Sequence, residues 1–284
     1  MTLFQLFIGF LLLISWVIRP LLYKPIAEYF PAKQSATFTS FWLVFSLILT
    51  YPILGHFLQF NGNNALFSPY ILISVYKGVA LFYFVTLQQI INKKSLSSSV
   101  FLSFIAMALG SLVNNLFFAE NLGITKVFCI CGFGILGILF LYKGDAKRLS
   151  HKDIIFFFIA TIIMASFSIS DHIAIPKVGW YAHLLVSSII MCLSCFLYKI
   201  SRLAFKMVFK DKRTILAGVF YAVTEFLVIY ASINILPVSI VALFLRLSVP
   251  IVMIVSALRY KEQNLKNQLI FGILAILLAL PIIL

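Results

Sequence analysis

Long apolar runs separated by short polar segments fill the chain. A helix that crosses the ~30 Å hydrocarbon core of a membrane needs about 20 mostly apolar residues. The predicted spans cover residues 3–22, 37–58, 68–91, 96–118, 122–142, 153–171, 179–199, 213–235, 238–258 and 265–284. Strands of a transmembrane β-barrel would alternate apolar and polar residues, and residues 154–165 (IIFFFIATIIMA) show no such alternation. The pattern therefore predicts an all-α integral membrane protein with ten transmembrane helices.

Composition supports this interpretation and gives it an orientation. Apolar residues make up 63% of the 284 residues and charged residues 11%, against roughly 25% charged in ordinary soluble domains, which excludes soluble enzymes and secreted disulfide scaffolds. The net charge of +14 marks topology rather than nucleic-acid binding, because seventeen of the 22 basic residues fall in loops after odd-numbered spans. The positive-inside rule makes those loops cytoplasmic. We expect a multi-pass protein of a bacterial inner (plasma) membrane with both termini outside.

The two halves of the chain, 1–142 and 143–284, share an order of features. A shift of 142 residues superposes identical residues that include Asn92 and Asn234, Ser97 and Ser239, Leu116 and Leu258, and Glu120 and Glu262. Each half has five spans, an odd number, so the second repeat would be inverted relative to the first. Inverted repeats are typical of secondary transporters, whose substrate site lies near the membrane midplane.

Residues 233–280 resemble the end of an EamA-type repeat of the drug/metabolite transporter superfamily. The residues that carry the resemblance are Pro237, Ser239, Pro250, Glu262 and Gly272, with a weaker copy in the first half at Ser95–Ser97, Glu120 and Gly132. The resemblance implies a ten-helix, two-repeat carrier of small metabolites. The sequence departs from it in one spacing, since Glu120 and Gly132 lie two residues further apart than Glu262 and Gly272.

Ionisable residues inside predicted spans are the candidate site. An ionised side chain at the bilayer centre costs about 2.5–3.5 kcal/mol, so it usually faces the bundle interior or a water cavity. Spans 3, 4, 8 and 9 each carry a polar stripe at helical spacing. The predicted substrate-contacting residues are Ser74, Lys77, Asn114, His183, Tyr221, Glu225 and Arg246. Lys77 and Arg246 would attract an anionic group, while Glu225 would take an ammonium or the coupling proton.

Several alternatives stay open on the sequence. Glu225 could instead form a structural ion pair with Arg246 or Lys77, Arg19 could snorkel to the interface, and Asp171 with His172 could close span 6 at the interface. The pattern favours a secondary carrier of an amino acid or other carboxylate. A carrier of an organophosphate or nucleotide-type anion, or a non-transporting assembly or signalling subunit, would also fit. No P-loop, metal-ligand spacing or enzyme signature stands out, so we expect no catalysis, metal or cofactor. The expected partners are a small-molecule substrate, the lipid bilayer and a coupling proton, but no nucleic acid, and the sequence leaves the oligomeric state open.

Overall fold

The structure, a computed structural model, is almost entirely helical over the residues that it describes. These residues are 2–54, 68–118, 124–140, 149–194, 210–236, 238–261 and 265–283. Numbered α1 to α10 in chain order, the described helices are Leu3–Tyr29, Ala32–Leu54, Ile71–Lys94, Leu96–Phe118, Ile124–Phe140, His151–Val178, Trp180–Ser194, Lys212–Asn234, Val238–Tyr260 and Leu265–Ile283. No β-strand occurs in these ranges. The predicted all-α class is therefore confirmed.

Three of the described helices, α1, α3 and α6, are long and apolar enough to cross a membrane. Each exceeds the ~20 residues that a span requires, and helices of this kind suit insertion into a lipid bilayer. The count of ten spans and their arrangement in two repeats stay predictions.

Polar and apolar side chains are distributed as a membrane protein requires. Ser74, Gln89 and His183 are at most 2% exposed, whereas Phe7 and Ile162 are 58% and 66% exposed. Water-soluble proteins bury the opposite classes of residue and seldom expose large contiguous apolar patches. The helices therefore turn bulky apolar side chains outward and keep many polar groups inside.

Helix α1 is longer than its sequence pattern predicts. The predicted span ends near residue 22 with a kink at Pro20, but the helix continues through Pro20 and Pro25 to Tyr29. Each proline costs the helix a hydrogen bond. Tyr23 and Ile26, which follow Pro20, pack in an apolar cluster with α2, α7 and α8, and this burial offsets the loss. Lys24, assigned to a loop by the sequence pattern, therefore lies inside the helix.

Helix α6 also passes its predicted end. The sequence pattern places Asp171 and His172 at the close of span 6, but the helix runs on to Val178 and stops before Gly179. Gly179 has φ of 81° and ψ of 148°, a backbone conformation that glycine adopts without steric cost because it has no Cβ. The extension carries Asp171 into the helix and towards α3 and α7.

The N-termini of α1 and α6 are built alike. Thr2 and Gln5 form a capping box at α1, and Ser150 and Asp153 form one at α6, so both helices satisfy free backbone N–H groups in the same way. Gln5 Nε2 also donates a hydrogen bond of 3.0 Å to the carbonyl of Ile235, just after α8. Asp153 also connects its cap to another helix, since its Oδ2 accepts a hydrogen bond from the ammonium of Lys94, the last residue of α3.

Helix packing is organised around α3, which contacts α1, α2, α4, α6 and α7. Helix α1 packs on α8 and α9, α6 on α3 and α4, α2 on α8, and α7 on α3. Two glycines permit close crossings. A Cβ at Gly78 of α3 would lie 2.5 Å from the carbonyl oxygen of Ser187 in α7, and a Cβ at Gly218 of α8 would lie 2.1 Å from Cβ of Trp42 in α2.

Candidate functional site

A cavity of about 70 Å³ lies between α1, α3, α4 and α9, with a contribution from α6. Helical spacing brings its lining together, since Gln88 and Asn92 are four residues apart on α3 and Arg19 and Tyr23 are four apart on α1. The polar side chains that line it, besides the indole of Trp16 and the phenol of Tyr23, belong to Arg19, Gln88, Gln89, Asn92, Ser99 and Ser248. The cavity thus combines a cation, amides and hydroxyls with aromatic walls.

Arg19 of α1 supplies the positive charge of the cavity wall. Its Nη1 donates a 2.8 Å hydrogen bond to Oε1 of Glu225 in α8, and the two side chains are 17% and 23% exposed. The guanidinium carbon lies 3.8 Å from the ring centroid of Tyr221 and 5.1 Å from that of Trp16. Cation–π contacts and an ion pair both stabilise a guanidinium away from bulk water. The Arg19–Glu225 pair has no net charge.

Four polar atoms of cavity-lining residues lack a hydrogen-bond partner among the described residues: Gln89 Oε1, Asn92 Oδ1, Trp16 Nε1 and Tyr23 Oη. Gln89 and Asn92 are each 2% exposed. Buried polar groups are almost always hydrogen-bonded to protein, to ordered water or to a ligand. Two acceptors, one indole donor and one hydroxyl beside one cavity therefore favour a polar occupant.

Lys24 of α1 binds the last turn of α3, next to the cavity-lining residue Asn92. Its ammonium donates to the carbonyls of Asn92 and Lys93, at 2.7 Å and 3.1 Å. A cation at a helix C-terminus satisfies terminal carbonyls and opposes the negative end of the helix dipole. The buried lysine therefore has a structural task, which is to hold Asn92 against α1.

A second polar cluster lies where α3, α6 and α7 meet. Lys77 and Asp171 form an ion pair through Oδ1 of Asp171, and Nε2 of His183 lies 2.8 Å from the same oxygen. Nδ1 of His183 lies 2.7 Å from Oγ of Ser74. We call Ser74, Lys77, Asp171 and His183 the histidine cluster. It lies apart from the cavity, because Lys77 and Gln88 are eleven residues and so about 16 Å apart along α3.

The structure divides the predicted site residues between these two places. Glu225 and Tyr221 surround Arg19 at the cavity, while Ser74, Lys77 and His183 belong to the histidine cluster. Glu225 forms an ion pair with Arg19, and Lys77 forms one with Asp171, so the structure does not form the pair considered between Glu225 and Lys77. The side chains of Arg246 and Asn114 lie outside the described residues, as do Glu120 and Glu262.

Two residues that the sequence marks only weakly, Arg19 and Asp171, form the main ion pairs of the cavity and of the histidine cluster. Arg19 does not extend to an interface but forms an ion pair, and Asp171 is not a helix-closing group but the centre of the histidine cluster. Gln89, Ser99 and Ser248 were not singled out at all. Each of them is a polar residue within or at the end of an apolar run, which is a signal in the sequence. The sequence does not show that these side chains face the cavity, because that depends on how the helices pack.

No metal site is evident in the described ranges, where no group of three or more His, Cys, Asp and Glu side chains comes together. Comparison with known proteins adds no assignment: no protein-family model matches the chain, and no curated protein matches it. The resemblance to EamA-like transporters stays a prediction that rests on the residues quoted for it.

Proposed function

We propose that the protein is a secondary active transporter that carries a small zwitterionic metabolite, an amino acid in the first instance, across a bacterial inner membrane by alternating access. The observation that carries this proposal is the cavity, which joins Arg19 to the unpartnered oxygens of Gln89 and Asn92. Polar cavities inside bundles of apolar helices are where transporters bind their substrates.

The donors and acceptors of the cavity suit an amino acid. A guanidinium donates to a carboxylate in two parallel hydrogen bonds, so Arg19 is the group for the substrate carboxylate. Carbonyl oxygens accept from ammonium groups, so Gln89 and Asn92 are the groups for the substrate amine. The aromatic rings of Trp16 and Phe84 complete the wall and offer an apolar surface to a side chain.

Charge balance favours a zwitterion over a phosphate. Glu225 already neutralises Arg19, and Lys77 neutralises Asp171 in the histidine cluster. A phosphate would bring additional negative charge into a site whose described positive charge is compensated, and burying an unpaired charge is costly. An organophosphate carrier remains the second candidate only through Arg246, whose neighbours Leu245 and Ser248 line the cavity.

Packing supports the inverted five-helix repeat that this mechanism uses. Each helix of one half corresponds to the helix of the other half that lies five places away in the chain. Under this correspondence the contact of α1 with α8 matches that of α6 with α3, α1 with α9 matches α6 with α4, and α2 with α8 matches α7 with α3. The capping boxes at Thr2 and Ser150 and the close crossings at Gly218 and Gly78 follow the same exchange. Two similar units related in this way can rock about a shared cavity. Ten spans and kinship with EamA-like transporters are part of the proposal.

A ligand screen followed by uptake measurement tests the proposal. The twenty amino acids and a set of sugar phosphates and nucleotides are added to detergent-purified protein, and the shift in apparent unfolding temperature is recorded. We expect amino acids to raise it and phosphates to leave it unchanged. The best amino acid, radiolabelled, is then offered to proteoliposomes.

Variants of the cavity decide which residues bind. Arg19→Ala and Gln89→Leu should each lower uptake about tenfold or more, since a hydrogen bond to a charged group contributes about 1.5–3 kcal/mol. Thr86→Val is the matched control, because Thr86 lies on α3 near Gln89 but its hydroxyl donates to the carbonyl of Phe82. Arg246→Ala in the same assay tests the anion contact predicted from sequence. No thermal shift with any amino acid would contradict the proposal and favour a non-transporting subunit. Full uptake in both cavity variants would remove this cavity as the substrate site.

A further inference from the structure

The histidine cluster has one carboxylate oxygen and two donors that compete for it. Oδ1 of Asp171 contacts both Nζ of Lys77 and Nε2 of His183. The three residues come from three helices, α6, α3 and α7, so the oxygen joins all three. The Asp171 side chain is 38% exposed, far more than those of Lys77 and His183 at 12% and 2%.

His183 can keep both of its hydrogen bonds in two charge states. In the neutral state one ring nitrogen donates and the other accepts, while in the protonated state both donate. Ser74 contacts Nδ1 at 2.7 Å, and its hydroxyl can rotate to donate or to accept. Oδ1 of Asp171 accepts from Nε2–H in the protonated state. Histidine is also the side chain whose charge ordinarily changes near neutral pH.

We propose that His183 binds the coupling proton of the transport cycle, and that this proton releases Lys77 from Asp171. With His183 neutral, Lys77 is the cation that compensates Asp171, and separating α3 from α6 would strand a carboxylate among apolar helices. With His183 protonated, the imidazolium compensates Asp171 in its place. The bundle can then open between α3 and α6 at this end, because the opening leaves one ammonium, that of Lys77, without a counter-ion instead of separating an ion pair. His183 takes the proton up from solution and returns it to solution when the pair forms again.

Other titratable groups near the cluster do not supply this switch. Helix α2 brings Tyr51, which packs on Tyr181 of α7 at 5.6 Å between ring centroids. Helix α6 brings His172 beside Asp171, and Lys177, whose ammonium lies 5.8 Å from the ring centroid of Tyr70. Tyrosine is ordinarily neutral and lysine charged across the physiological range. His172 is exposed and serves as a control.

The Ser–His–Asp order of these contacts does not indicate a hydrolase. Ser74 is fully buried, so its hydroxyl cannot meet a substrate in this arrangement. A nucleophile needs access to the reacting carbon as well as a neighbouring base. The cluster is suited to holding a proton rather than to attacking an ester or amide.

The test measures the opening directly and needs no substrate. Spin labels are placed on Tyr70→Cys and Lys177→Cys, at adjacent ends of α3 and α6, in full-length protein whose four native cysteines are replaced by alanine. The distance between the labels is measured by electron paramagnetic resonance in lipid nanodiscs between about pH 5 and pH 8, the range in which histidine titrates. We expect a short distance at high pH and a second, longer distance that grows as the pH falls, with the slope of a single proton.

Two variants with opposite expected effects keep the inference falsifiable. His183→Gln should lose the longer distance at every pH, and Asp171→Asn, which needs no counter-ion, should show it at every pH. His172→Gln should behave as the parent protein does. A parent distance that is independent of pH would overturn the inference, as would an unchanged pH response in His183→Gln. If His183→Gln does not fold, Asp171→Asn decides alone: a longer distance at all pH values supports the inference, and an unaltered response overturns it.

This inference rests on the proposed carrier function, but the two can fail separately. Amino acid uptake that responds to the cavity variants while the label distance ignores pH would leave the carrier and remove the coupling site. A pH-dependent distance without any amino acid binding would remove the proposed carrier function and leave a proton-controlled opening of the bundle.

Discussion

Arg19 is a cation in the interior of a helix bundle, and its neighbours make that position tolerable. Glu225 compensates its charge at 2.8 Å, and the rings of Tyr221 and Trp16 face the guanidinium. Removing one member of such a pair leaves the other charge poorly solvated, so the loss of stability exceeds the net value of the pair itself. At this scale the stability of the protein and the chemistry of its cavity depend on the same side chains.

A double-mutant cycle on this pair should show strong coupling. Arg19→Met alone should lower the free energy of unfolding by about 3 kcal/mol, because Glu225 would remain partly buried without a counter-ion. The double variant Arg19→Met/Glu225→Leu should recover most of that loss, since neither charge is then stranded. Denaturant unfolding of purified protein in mixed micelles measures both. Additive losses in the double variant would show that the two residues do not depend on each other.

Between elements, glycine decides how closely the helices approach. Gly78 sets α3 against α7, and Gly218 sets α8 against α2. The atom nearest to a Cβ at Gly78 is a backbone oxygen of Ser187, which cannot move without the helix. The face of α3 that carries Gly78 is therefore the one packed against α7, the helix that brings His183 to the histidine cluster.

Alanine substitutions at a tightly packed glycine and at an open one should differ in their effect on stability. Gly78→Ala should cost about 1–3 kcal/mol of stability, the usual range for overpacking a well-packed interface. Gly134→Ala is the matched control, because nothing lies within 4 Å of the position of its Cβ, and it should cause no loss. Thermal unfolding of the two purified variants compares them directly. Equal unfolding temperatures for both would mean that the close crossing at Gly78 is not needed.

Helix length is the element-scale feature that sequence pattern predicts least well. The predicted helix over 96–118 begins at the first residue of α4, Leu96, and α4 is helical through Phe118, the last described residue before 124. The ends of α1 and α6 were predicted seven residues too early, at 22 and 171. At both places a proline or charged residue suggested a stop, and packing of the following turns against neighbouring helices overrode that local signal.

At the scale of the whole molecule, the described residues place many bulky apolar side chains on the outside and many polar ones inside. This arrangement suits lipid, and three described helices have the length and composition to span it. The fold does not decide which end of the bundle faces the cytoplasm, because the helices pack against one another in the same way in both orientations. The seventeen basic residues that the sequence pattern assigns to loops after odd-numbered spans predict the orientation.

Reporter fusions should place the C-terminus outside the cytoplasm. Alkaline phosphatase fused after Leu284 should be active, since that enzyme folds only outside, and green fluorescent protein at the same position should be dark. Fusion after Lys210, at the end of a basic segment, is the internal control and should give the reverse result. Bright fluorescence from the C-terminal fusion would mean that the charge bias does not determine the topology.

The sequence by itself determined the environment of this protein and its candidate chemistry. Apolar runs of membrane length predicted an all-helical chain, because the bilayer imposes both the length and the internal hydrogen bonding of a span. A charge inside such a run signals function without reference to packing, and this singled out Lys77 and Glu225.

Only the tertiary structure decided which of these charges meet. Helical spacing gives the face of a residue on its own helix, but not the helix that faces it. The packing of the helices brings Lys77 and His183 to Asp171, pairs Glu225 with Arg19, and places Gln89 and Asn92 in the wall of the cavity. The physical reason is that ion pairs and cavities are properties of contacts between helices distant in sequence. Those contacts are set by packing at positions such as Gly78 and Gly218, which carry no charge and no chemical signal of their own.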